Sequence, residues 1–486
     1  MNTEELKLLL TSNDVTELVD KIKKSRPDPL PDITTIKNQL EPKNHDVMDE
    51  TKRPNKKVKV DMDSGTETAT YSDGSETAEK GTKIEQVARI AIAIQKLIVK
   101  RAVSFSFGNP ISLNYEPLSE AEKTVLNGIK KILIKNKETS LNRKIARVMY
   151  STTEVAEYWY PIEDKNTKAL YGFDSNYKLR AAVFSTLKGD KLFPTFDDFG
   201  DMIAFSREFT KKVDDKDIIF FETYTDSQHF MWNITDKKAV EGFPKKIELG
   251  KIPIVYGKQE QTEWEDVQSL IDRLEKLLSN FADTNDYHAS PKIFIKGQLV
   301  GFGRKGEAGS IIEGDRDSDA KYLSWQQAPE AVKLEIETLL NLIYSLTQTP
   351  NLSFESVKGL GNISGRALKL LFLDAHLKVQ EKQEVLSEYL TRRLNLIKAF
   401  IGMFNSGLKA TCDSMDIEPE IVPFMIDDEE TKVDILVAAT GGKPILSQKT
   451  AVGQLNYTND SEREYELIKE EEQGMNVLET LEPTVL

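Results

Sequence analysis

The residues best equipped for chemistry are few and scattered along the chain. Gly301, Gly303 and Gly306 spell G-x-G-x-x-G, a spacing that cradles a dinucleotide pyrophosphate when it joins a buried strand to a helix N-terminus. Here it runs into GEAGSIIEGDRDSD, which has no helical period, so the glycines read as a hairpin tip. No G-x-x-x-x-G-K-[ST] stretch occurs, which leaves an ATP-driven motor without its phosphate loop. The four histidines, His45, His229, His288 and His376, form no H-E-x-x-H and no i,i+4 pair, so each reads as an ordinary surface or core histidine. Adjacent carboxylates such as Asp197–Asp198 and Glu470–Glu472 have the chemistry to hold Mg²⁺ or shuttle protons, but side by side they read as solvated charge. With no nucleophile–base constellation, the sequence points to no catalytic residue, no metal site and no cofactor.

Cys412 is the one cysteine, so no disulfide forms within the chain, and it reads as a small residue near a helix end. That usage suits a reducing compartment such as cytoplasm. Phe220, Phe221, Tyr224, Phe230 and Trp232 have the ring faces to stack on bases, but their period of two and the lack of interleaved basic residues mark them as core. The run KRPNKKVKV over Lys52–Val60 resembles a nuclear-localisation segment and reads more simply as a solvated tail.

The elements that must position any site come next. At roughly 100–200 residues per domain, 486 residues suggest about three domains. A net charge of -14 argues against tight, general grip on nucleic acid and does not exclude a protein that must let DNA slide. The first residues carry no basic and apolar leader, and no apolar run is long enough to span a membrane. Residues 1–82 combine a short amphipathic start with RPDPLPD and a polar stretch, and the sequence predicts a largely disordered arm. From residue 83 the pattern turns globular, with a helix over Ile84–Ile98, another over Glu120–Lys135, and helix then extended chain over 138–160. Short aromatic strands such as LRAAVFSTL, MIAFSREF, DIIFFETYT and HFMWNIT fill 178–256. This is an α+β class.

Trp264, Val267, Leu270, Ile271, Leu274, Leu277, Leu278 and Phe281 mark a one-faced helix ending near Tyr287. A small β unit follows over 291–327, then a second helix through Leu334, Leu339 and Ile343 that Pro350 stops. After the polar loop NLSFESVKGLGNI, a helix is predicted from Ser364, a plausible N-cap, to about Phe404. A short strand over Glu420–Ile426, a Gly441–Gly442 break and short acidic helices complete the chain.

This order of helix, β insertion, helix, loop and long helix resembles the portal proteins of tailed bacteriophages. EWEDVQSLIDRLEKLLSNFADTNDY followed by PKIFIKG looks like the family's first stem helix entering its clip. NISGRALKLLF looks like its long-helix start, and GGKPILSQKTAVGQL with DSEREYELIKEEE like its C-terminal signature. The resemblance implies a portal fold: an α+β wing (83–262), stem helices (263–288 and 329–349), a clip (289–328), a tunnel loop (350–363), a long wing helix with returning strand (364–428), a helical crown (429–475) and a flexible tail (476–486). It implies a ring of about twelve copies around a channel for double-stranded viral DNA. Its partners would be the large terminase subunit, head-completion or adaptor proteins and the major capsid protein, with no membrane. Its place would be the capsid portal vertex of a virion assembled in host cytoplasm. Ser353, Glu355, Ser356, Lys358, Gly359 and Gly361 would face the DNA, with Lys358 able to touch phosphate, and Arg304, Lys305 and Glu307 would serve docking at the clip. The alternatives are another oligomeric virion scaffold or adaptor without a channel, and a carboxylate-metal nuclease.

Overall fold

A computed structural model of the chain describes residues 2–12, 14–60, 67–71, 82–164, 169–288, 292–296, 299–301, 313–314, 319–323, 328–351, 372–424, 429–441, 444–455 and 461–479. The helices are α1 (Thr3–Leu10), α2 (Val15–Lys24), α3 (Ile33–Leu40), α4 (Ile94–Ser106), α5 (Glu120–Lys135), α6 (Glu138–Thr152), α7 (Gln268–His288), α8 (Ala328–Leu346), α9 (Leu373–Phe404), α10 (Lys409–Ser414), α11 (Glu429–Thr440), α12 (Gln448–Leu455) and α13 (Ser461–Glu479). The strands are β1 (Lys56–Val60), β2 (Glu67–Tyr71), β3 (Thr82–Glu85), β4 (Ser112–Asn114), β5 (Glu154–Glu163), β6 (Tyr177–Phe184), β7 (Lys191–Phe196), β8 (Met202–Val213), β9 (Lys216–Tyr224), β10 (Gln228–Asn233), β11 (Lys238–Ala239), β12 (Lys245–Lys246), β13 (Ile254–Lys258), β14 (Lys292–Lys296), β15 (Leu299–Gly301), β16 (Glu313–Gly314), β17 (Asp319–Leu323) and β18 (Glu418–Glu420). The class is α+β, as the sequence predicts. Contacts divide the chain into two compact units, residues 1–350 with 374–424, and residues 351–373 with 425–486.

The first unit is built around an antiparallel sheet in the order β11-β10-β9-β8-β7, with β12 also paired to β10. Side chains alternate across a strand, and both faces of this sheet are apolar. Phe193, Ala204, Phe221, Phe230 and Trp232 point to one face, where Leu6, Leu10, Leu18, Val19 and Ile22 of α1 and α2 cover them. Leu192, Phe205 and Tyr224 point to the other, against Ala156, Phe184, Ile254 and Tyr256 of the sheet β13-β5-β6. The aromatic strands are therefore core, and their period of two serves two hydrophobic layers.

The N-terminal residues depart from the expected arm. Asn2 and Glu5 form a reciprocal capping box on α1, and Asp14 accepts backbone N–H groups of Thr16 and Glu17 to start α2. Arg26 then fixes the exit from α2, with its guanidinium on the buried Glu154 carboxylate at 2.9 Å and on the Leu192 carbonyl. An otherwise polar segment is ordered because its few apolar residues fall on one helical face over an apolar sheet. Two further expectations shift. The predicted helix over Ile84–Ile98 begins only at Ile94, because residues 86–93 run without regular structure against α7, where Ser279 and Glu275 accept the N–H groups of Ile90 and Ile92. The predicted returning strand over Glu420–Ile426 is met by a strand at Glu418–Glu420, paired with Ser112–Asn114; residues 421–424 are not in a strand, and 425–426 lie outside the described residues.

The long helix α9 begins, within the described residues, at Leu373; its predicted start at Ser364 lies outside them. Its 32 residues give a rod of about 48 Å at 1.5 Å per residue. Leu386, Tyr389, Leu390, Leu394, Ile397 and Ile401 line its buried face. Gly257 of β13 lets Tyr389 approach closely, since a Cβ there would stand 2.7 Å from the Tyr389 ring. The second unit contains α11, α12 and α13, with Leu436 and Ala451 buried and Gln448 donating to Glu472.

Candidate functional site: a helix pair and the residues that hold its ends

Helices α7 and α8 pack against each other: α7 buries Ile271, Leu274 and Leu277 of the face that the sequence marks, and α8 buries Leu339 and Ile343 while the marked Leu334 stays exposed. The Arg273 guanidinium donates twice to Glu335 across the pair, at 2.9 and 2.7 Å. Both side chains are half exposed, so this pair contributes little stability and mainly fixes register.

Polar contacts mount α7 on the rest of its unit. Trp264, wholly buried just before it, donates from Nε1 to Gln39 Oε1. Glu275 lies inside the fold, 2.7 Å from His45 Nδ1. Asp283 accepts from Arg53 at 2.6 Å and from the Ala88 N–H at 2.7 Å. Each of these partners lies roughly 195–230 residues away in the chain.

The C-terminus of α8 is held just as tightly. Gln348 takes a left-handed backbone conformation with φ 49°, which turns the chain out of the helix. The Thr349 N–H returns to the Tyr344 carbonyl. Lys378 of α9 donates to the Thr347 carbonyl at 2.9 Å and pairs with Glu263 at 2.6 Å, while Lys382 pairs with the same Glu263 at 2.8 Å. Burial alone would raise the Glu263 carboxyl, but the two ammonium groups outweigh it and hold it below the usual carboxylate range. Arg101 donates to the Pro350 carbonyl and lies over the Tyr344 ring. Four side chains from three separate segments thus fix the residues on either side of 351–373.

The DNA-facing candidates Ser353, Glu355, Ser356, Lys358, Gly359 and Gly361 lie outside the described residues, and so do the docking candidates Arg304, Lys305 and Glu307. What is described around the latter is a set of β-pairs: β14 with β17, and β15 with β16, where Gly301 stands opposite Glu313. Lys378, Glu263 and Arg101 escape sequence reading, because the spacing that joins them to α8 runs over dozens to hundreds of residues. His229 stacks on Tyr224 and meets Glu222 at 3.1 Å. Asp197 accepts the N–H groups of Phe199 and Asp201 in a turn. Cys412 is buried, which pushes its thiol up to about 11. Among the described residues, no group of three or more His, Cys, Asp or Glu side chains is placed to hold a metal ion. No described helix is long and apolar enough to cross a membrane.

A family model described as phage portal protein, SPP1 Gp6-like, matches residues 19–477. The chain belongs to that family. This portal family member is thus a portal subunit of the capsid vertex, and its match runs from within α2 through most of α13. Among curated protein sequences, none matches it. Among solved structures, it is similar to the neck of a native GTA particle computed with C12 symmetry, at 12% identity over 75% of this chain and 89% of that one, with a TM-score of 0.39. The neck of an empty GTA particle computed with C6 symmetry is similar at 12% identity, 75% and 90% coverage and a TM-score of 0.34. The virion of a native gene transfer agent (GTA) particle gives 12%, 75% and 89%, with a TM-score of 0.36.

Proposed function

We propose that the chain is the repeating subunit of a ring of about twelve copies that surrounds a channel for double-stranded viral DNA. The observation that carries this reading is the portal-family match over residues 19–477, which takes in the helix pair, the loop and the long helix together. In this reading 83–262 with 364–428 form the wing, α7 and α8 are the stem, 289–328 is the clip, 350–363 is the tunnel loop, and 429–475 is the crown. The clip receives the large terminase subunit during packaging and head-completion proteins afterwards, and the wing meets the major capsid protein. The role is structural and non-enzymatic. The clamped ends of 351–373 suit a loop that must face moving DNA from a fixed base, and the acidic balance suits a wall that DNA does not stick to. Negative-stain imaging of the purified protein tests the reading. Rings with a hole wide enough for duplex DNA are expected. Solid oligomers, or a monomer with metal-dependent nuclease activity, would overturn it.

A further inference from the structure

The chain carries a net charge of -14, yet the stretch from Asn127 to Arg147 carries seven cations and one acid. The cations are Lys130, Lys131, Lys135, Lys137, Arg143, Lys144 and Arg147, and the acid is Glu138. This stretch is the second half of α5, the turn at Asn136–Lys137 and the first part of α6. All seven cations are exposed, while Ile129, Ile132, Leu133, Leu141 and Ile145 turn inward, so the charges occupy the solvent faces of the two helices. Asn136 ties the turn to β6 through the Leu179 carbonyl and the Ala181 N–H, which places the exposed Arg180 beside it.

Little neutralises this face. Among the described residues, Lys130, Lys131, Lys135, Lys137, Lys144 and Arg147 form no ion pair, and Arg143 is held by the carbonyls of Phe107 and Gly108. Glu138 is half-buried and accepts from the Ile111 N–H and Asn142; burial, against those bonds and the Arg393 charge, raises its carboxyl. Asp174 is an exposed acid two residues from Gly172, which lies against Lys131, and α10, which packs on α5, carries the exposed Asp413; Asp164 is paired with Lys178.

We propose that the solvent face of α5 and α6 is a phosphate-backbone contact surface for duplex DNA, separate from the channel. A protein partner would need an apolar centre with aromatic anchors inside the charged rim. This face offers one exposed apolar side chain, Ile134, and no aromatic one. What it offers instead is repeated positive charge without interspersed acid, which suits a sequence-independent polyphosphate. Successive helical turns rise about 5.4 Å, and phosphates along one strand rise about 3.4 Å per nucleotide. Lys131 and Lys135, like Lys144 and Arg147, therefore stand one to two nucleotides apart along a strand. The inference rests on the portal reading only in taking the packaged genome as the source of that DNA.

The test uses the full chain and a relaxed, covalently closed duplex circle, which cannot thread a preformed ring. Binding is followed by mobility shift across a salt series, for wild type, for Lys130→Gln/Lys135→Gln/Lys144→Gln, and for the control Lys211→Gln/Lys212→Gln/Lys216→Gln on the exposed β8–β9 turn. Each lost phosphate contact lowers the slope of log affinity against log salt by about 0.9, so the α5–α6 variant should bind with a slope about 2.7 shallower, or about 40-fold less loss between roughly 50 and 200 mM salt. The control should keep the wild-type slope. No circle binding by wild type, or equal slopes for all three proteins, would overturn the proposal. Imaging the same samples separates the two readings: a lowered slope without rings sinks the channel and leaves this surface standing, and rings with an unchanged slope do the reverse.

Discussion

Arg393 has 1% of its side chain exposed and pairs with Glu157, which is fully buried. Its Nε donates to Glu157 Oε2 at 2.9 Å, its other arm reaches Asn142 Oδ1 at 2.5 Å, and the Tyr389 hydroxyl shares the same carboxylate oxygen. Burial and the Glu157 charge push the Tyr389 phenol far above its ordinary value, so it stays a donor. Taking away one member of such a pair strands the other charge in a dry interior, and that loss exceeds what the pair itself contributes. Arg393→Met should cost about 3–5 kcal/mol in urea unfolding, while Arg393→Met with Glu157→Leu should recover most of it. Equal losses in both variants would show that the contact is packing rather than charge. Leu390, Leu394 and Ile397 on the same helix stand at apolar steps of four and three, which is a local signal. Arg393 carries no such mark, since its partner is 236 residues away.

At the scale of elements, the turns at 42–48 are joined to α7 through one imidazole. His45 Nδ1 faces Glu275 Oε1 at 2.7 Å and Nε2 faces the Gln39 carbonyl at 2.8 Å. Both partners accept, so a neutral ring satisfies only one of them and the imidazolium satisfies both. Burial disfavours the charged ring, but the Glu275 hydrogen bond and charge outweigh it, and His45 is held above its ordinary value. Asp272 also faces it, and Lys52–Asp46 and Lys96–Glu41 pair nearby. A raised folded value means that the contribution is complete below the unfolded histidine range, about 6.5, and is lost as the pH rises through the folded value. Hydrogen exchange of residues 42–48 should therefore quicken as the pH climbs above that range, beyond the ordinary base-catalysed increase, and His45→Gln should remove the excess. An excess that persists in the variant would assign it to another group. Helices α7 and α8 themselves are legible in the sequence, each from one apolar face. Their mounting is not, because it runs through polar residues whose types are common everywhere.

On the scale of the whole molecule, the N-terminal helices form one layer of a helix–sheet–sheet stack. Helices of eight and ten residues do not hold themselves in water, so a local reading sees a few apolar residues in a polar stretch and predicts an arm. Their stability comes from Phe193, Phe221, Phe230 and Trp232, which no window around residue 20 contains. Leu18, fully buried on α2, tests this: Leu18→Ala should cost about 2–5 kcal/mol in thermal or urea unfolding, where a solvated arm would register nothing. The candidate tunnel and clip residues remain proposals of the sequence, since they fall outside the described residues.

The same layer sets a timetable for the nascent chain. Helix α2 is complete at Lys24, but the last strand of the face that it covers ends at Asn233. At roughly 5–20 residues per second, the ribosome needs roughly 10–40 seconds to make what lies between. For that interval Val15, Leu18, Val19 and Ile22 have no sheet to cover, so a segment made before the sheet is among the last of this stack to be buried. A chaperone that shields short apolar stripes on nascent chains would meet this one at α2.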